Sequence, residues 1–116
     1  MASESRVWAM TTTLPTEQDA RSIAESVVGE CLAAGAEIVE QDSVFWHLGK
    51  VGAGPEWRLT FRVAAAGRDR LAERIAELHP WSRPEISATP VPWTIEKYAQ
   101  WVESHTVSQE YHRDDG

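Results

Sequence analysis

The stretch Glu56–Ala64, EWRLTFRVA, alternates without a break: Trp57, Leu59, Phe61 and Val63 fall on one side of an extended chain, and Arg58, Thr60 and Arg62 on the other. A repeat of two residues fits a strand and not a helix, whose apolar stripe repeats every three to four. One face is apolar and one polar, so the chain must build a sheet buried on a single side. The preceding stretch, AEIVEQDSVFWHLGKV, keeps the same habit in parts: Val44, Trp46 and Leu48 share one face, and Ser43, Phe45 and His47 the other. It reads as a long or bent strand pairing with Glu56–Ala64 as a hairpin. The segment GKVGAGPE between them holds three glycines and a proline and reads as a turn or mobile loop.

Further elements flank this hairpin. RVWAMTTT (Arg6–Thr13) is short, apolar and rich in β-branched residues, hence a first strand. Pro15 breaks it, and Thr16 with Asp19 three residues on forms a capping signal. Ala20, Ile23, Ala24, Val27, Val28, Cys31 and Leu32 then recur at helical spacing. They predict an amphipathic helix of about 18 residues that stops at Gly35. GRDRLAERIAELH places Leu71, Ile75 and Leu78 on one helical face and ends before Pro80. EISATPV reads as a fourth strand, and WTIEKYAQWVESH as a last helix with Thr94 as its cap. The order β-α-β-β-α-β-α predicts an α+β, ferredoxin-like βαββαβ sandwich with an extra C-terminal helix. Residues 1–116 form a single domain, with a core at about 6–105 and a polar tail, Thr106–Gly116.

The net charge of −7, with no Lys/Arg cluster, argues against a nucleic-acid binder that neutralises phosphates. No apolar run approaches the length of a membrane span, and the N-terminus lacks a secretory layout, so a cytoplasmic protein is expected. The single cysteine, Cys31, excludes an internal disulfide framework and reads as a buried thiol. Six tryptophans in so short a chain exceed what a small core encloses, which points to subunit interfaces or an aromatic-lined pocket.

Four stretches carry a family resemblance: TTLPTEQDARSIAESVVGECLAAGAEI, SVFWHLGKV, ELHPWSRPEISATPV and YAQWV. In this order, over about residues 7–105, the chain resembles the CutA family of proteins named for divalent-cation tolerance. The resemblance implies a ferredoxin-like protomer in a tight homotrimer with clefts between subunits, and links it to copper and other divalent cations. Copper ligands in the family are placed at a cysteine ending the first strand and at two adjacent histidines before the proline. Here those positions hold Thr12, Leu78 and His79, and the alternative family cysteine is Gly35. One histidine falls short of the three or four ligands that copper or zinc requires. Only His79 is left as a metal-ligand candidate.

Phe45, Trp46, Lys50, Arg62 and Trp81 are candidate ligand-binding residues. His79 is a ligand, an acid–base group or a helix cap; His47 is an interface residue or a functional ring. Glu85 is a solvated carboxylate or an ion-pair partner for Arg62 or Arg58. Two main functions follow. One is a trimeric binding protein for a divalent cation (Cu or Zn) or a small ligand at intersubunit clefts. The other is the same scaffold recruited as a cofactor-independent enzyme on a small, aromatic metabolite, with His47, His79 and Glu85 as acid–base groups. A structural trimer without ligand is the third.

Overall fold

The computed structural model describes residues 5–106. Four strands, β1 (Val7–Leu14), β2 (Gly35–His47), β3 (Lys50–Ala64) and β4 (Ser87–Val91), form one antiparallel sheet in the order β2-β3-β1-β4. Helices α1 (Glu17–Gly29) and α2 (Arg68–Leu78) cover one face, and α3 (Glu96–Ser104) follows β4. This is the α+β, ferredoxin-like layout that the sequence pattern predicts. The polar tail lies outside the described residues beyond Thr106.

Register explains the two faces. Trp8, Met10, Thr12 and Leu14 stand opposite Val63, Phe61, Leu59 and Trp57. With Ile23, Val27, Leu71 and Ile75 from the helices, these side chains make the main core. The opposite parity brings Thr11 against Thr60 (Oγ1–Oγ1 3.2 Å), Arg62 against Glu37 (3.2 Å) and Arg58 against Gln41 (3.1 Å) on the polar face. Helix α3 covers one end of that face: Ala99 and Val102 pack on Val7, Ala34 and Ala64. Arg6 holds it there, bonding Glu96 at 2.7 Å and Glu103 at 2.8 Å on one side of the helix.

Four local readings need correction. The loop predicted at GKVGAGPE is strand: β3 starts at Lys50, and the turn shrinks to Leu48-Gly49, both at positive φ (53° and 81°). Positive φ at both central residues is the primed hairpin turn that matches strand twist. Pro55 is tolerated because the β1–β3 ladder ends at Leu14–Trp57, leaving β3 with β2 alone beyond that point. Helix α1 ends at Gly29, well before Gly35, because Cys31 adopts the left-handed conformation (φ 61°). Its N–H reaches Val28 O at 3.0 Å and Leu32 N–H reaches Val27 O at 3.1 Å, which together form a Schellman cap. Leu32 is then buried after the cap, which extends the helical periodicity past the helix and hides its end. Cys31 itself is exposed, not a core thiol. Finally, α3 is flanked by Ile95 with no side-chain cap, so Thr94 does not serve.

Beyond Trp57 the β2–β3 ribbon projects as a two-stranded arm whose apolar residues face solvent: Leu48 is 86% exposed and Trp46 77%, with Val44 and Val51 also open. Among the described residues no helix is long and apolar enough to cross a membrane.

Two substitutions test the helix ends in thermal or urea unfolding. Thr16 Oγ1 accepts the Asp19 N–H at 3.0 Å, so Thr16→Ala lowers stability by about 1 kcal/mol. Cys31→Gly removes a side chain from the left-handed region and raises stability by about 1 kcal/mol.

Candidate functional site

The segment after α2 turns the chain back toward β4, and His79 fixes that turn. The β1–β4 ladder ends at Thr11–Ser87. Two residues on, the Thr13 carbonyl has no partner from β4, and His79 Nε2 lies 2.9 Å from it. On the other side of the ring, Trp81 N–H donates to Nδ1 at 3.1 Å. An Nδ1 that accepts must be unprotonated, so the proton sits on Nε2 and the imidazole is neutral. Burial holds the His79 pKa below the ordinary histidine value, opposed by the bond to Thr13 and by the charge of Asp19. The Trp81 indole packs against the ring with centroids 5.4 Å apart.

This corner forms one wall of a cavity of about 900 Å³, within the size range of small-molecule sites. Pro80, Trp81, Ser82 and Arg83 come from the corner. Phe45, Trp46, His47, Leu48 and Glu56 come from the arm. Phe45 lies flat on the opposing strand: a Cβ at Gly52 would sit 2.9 Å from its Cε1, so only glycine allows that ring position. The pocket therefore has two positioned aromatic walls and four polar residues, His47, Glu56, Ser82 and Arg83.

Four of the residues singled out from the sequence, Phe45, Trp46, His47 and Trp81, meet here. Lys50 is opposite His47 across the turn but outside the lining, and Arg62 is on the polar sheet face beside Glu37. Glu85 accepts from Thr13 Oγ1 at 3.3 Å and from Ser87 Oγ at 2.8 Å, in place of the ion pair with Arg62 or Arg58 considered from the sequence. Within one protomer, His79 and Glu85 both contact Thr13, and neither lines the pocket that holds His47. Glu56, Ser82 and Arg83 were not singled out. Glu56 stood at a predicted loop end, and Arg83 between two residues that read only as a corner.

The donors do not fit a bound copper or zinc ion. Both His79 nitrogens are engaged by protein groups, which leaves no lone pair for a metal. Thr12 is fully buried in the core, its hydroxyl without a hydrogen-bond partner, and a neutral alcohol is a poor ligand for a soft cation. Among the described residues no group of three or more His, Cys, Asp and Glu could hold a metal ion.

Known proteins bear on this geometry. The profile of the family described as CutA1 divalent ion tolerance protein matches residues 8–105. The divalent-cation tolerance protein CutA of Thermus thermophilus is 35% identical over 95 residues, covering 81% of this chain and 92% of its own length. A solved structure of Thermus thermophilus Cut A1 superposes with a TM-score of 0.80 at 33% identity, covering 86% of this chain and 98% of that one. The structure of CutA from Synechococcus elongatus gives a TM-score of 0.85 at 23% identity, covering 91% and 94%, a likeness of fold.

His79→Phe keeps the ring volume but orphans the Thr13 carbonyl and the Trp81 N–H, so unfolding should show a loss of roughly 2–4 kcal/mol. The acid side follows from linkage. With the folded-state pKa lowered, the unfolded chain takes up a proton first as pH falls below about 6.5. His79 thus contributes stability that is complete above that pH and is lost on acidification down to its folded pKa. Stability measured from pH 7.5 to 5 should fall more steeply in the wild type than in His79→Phe.

Proposed function

Because the chain belongs to the CutA1 divalent ion tolerance family, we propose that it is a homotrimeric binding protein whose ligand is a small organic molecule held between the arm and the Pro80–Arg83 corner. The carrying observation is the pocket itself: aromatic walls from two separate elements enclose polar groups of both charges. A first-row metal is the weaker candidate, because His79 spends both nitrogens on the backbone. An acid–base enzyme is weaker too, since only His47 of the three candidate groups reaches the pocket.

The trimer implied by the resemblance is supported by what the protomer leaves uncovered. The sheet ends in two open strands, β2 and β4, and the arm exposes Val44, Trp46, Leu48 and Val51. Burying a side chain of that size is worth about 1.5–3 kcal/mol, so the arm supplies ample driving force for association. Subunit contact at the arm also places the pocket at an intersubunit cleft.

Light scattering should report three times the 13.0 kDa chain mass. A monomer at micromolar concentration would remove the cleft reading. A thermal-shift screen of small aromatic compounds should yield stabilising ligands whose effect disappears in Trp81→Ala and weakens in Gly52→Ala, which displaces Phe45. Titration with Cu(II) or Zn(II) should give no heat at micromolar metal; tight binding lost in His79→Phe would reverse the preference for an organic ligand.

A further inference from the structure

Two charged groups in the pocket are unpaired. Arg6, Arg21, Arg62, Arg68, Arg70 and Arg74 each meet a carboxylate, and Arg58 bonds Gln41. Arg83 is the one described arginine without a hydrogen bond or ion pair among the described residues, and it lines the pocket. Glu56, half-buried on β3, lines the same pocket and likewise has no partner among the described residues. The two oppositely charged side chains do not bond each other.

Arg83 is exposed and Glu56 half-buried, so a ligand that fills this space covers both groups and takes away part of their water. Leaving either charge dehydrated and unpaired is costly, so the pocket discriminates by charge pattern. A purely anionic ligand satisfies Arg83 and leaves Glu56; a purely cationic one does the reverse. Only a molecule with both signs pairs both. Its body must be flat and apolar, to lie between Phe45 and Trp81. Phe45 is already seated on Gly52 and Trp81 on His79, so little ordering is required on binding.

We propose that the pocket binds a free aromatic α-amino acid, with its carboxylate on the Arg83 guanidinium, its ammonium on the Glu56 carboxylate and its ring between Phe45 and Trp81. This rests on the reading of the pocket as a ligand site and adds the class of ligand. Arginine suits the carboxylate because its planar fork matches two oxygens at once.

Calorimetry on the assembled wild-type protein near pH 7 tests this with four probes that share one ring system: L-tryptophan, tryptamine, indole-3-propionate and indole. L-Tryptophan should bind at least roughly tenfold tighter than tryptamine or indole-3-propionate, the factor that one charge-assisted contact supports. Arg83→Gln should abolish the preference over tryptamine and leave that over indole-3-propionate, and Glu56→Gln should do the converse. Equal or tighter binding of either singly charged probe overturns the amino-acid assignment. So does a preference for L-tryptophan that both variants retain. If L-tryptophan fails to bind, the assignment falls, and indole separates the two readings. Indole binding that is lost in Trp81→Ala keeps the pocket as a ligand site, whereas no binding of any probe removes both.

Discussion

Strand β3 is paired on both sides only between Trp57 and Arg62, where β1 and β2 both lie beside it; from Lys50 to Glu56 it has β2 alone. Much of the molecule follows from this unequal pairing. The doubly paired half carries the alternating apolar face that meets α1 and α2. The singly paired half tolerates Pro55 and brings Gly52 beneath Phe45. It also leaves large apolar side chains without a neighbour in the same chain. A sheet that stopped at Trp57 would have the same core and no pocket.

The parts of the fold readable from sequence were those where periodicity and burial agree. Trp57, Leu59, Phe61 and Val63 alternate because one sheet face is covered, and Leu71 and Ile75 recur because one helix face is. The misreadings share a cause: local conformation was set by something composition does not display. The α1 terminus is made by Cys31 in a left-handed conformation usually taken by glycine, and buried Leu32 continues the apolar spacing beyond it. The glycines of the arm looked like a loop, yet cross-strand pairing with β2 holds them extended. Neither the register nor the point where β1 stops is encoded in a short window.

The site was legible in its aromatics and not in its charges. Phe45, Trp46 and Trp81 stood out as bulk beyond what a small core needs, and the pocket gathers them. His79 stood out for its chemistry, but a ring bonded at both nitrogens is a structural fastener, and only geometry reveals that. Glu56 and Arg83 are ordinary charged residues in sequence. Their distinction is that two unpaired charges of opposite sign line one pocket, which emerges once the arm and the corner are placed side by side.

The sheet has one open edge at β2 and another at β4, on opposite sides of the same protomer. Joining one to the other between copies is a head-to-tail contact, and such a contact sets no limit on copy number by itself. The rotation from each copy to the next decides the result: a ring if it closes, a fibre if it does not. The twist of this sheet therefore governs more than packing. In a head-to-tail assembly of this kind it would separate a closed ring from a growing fibre.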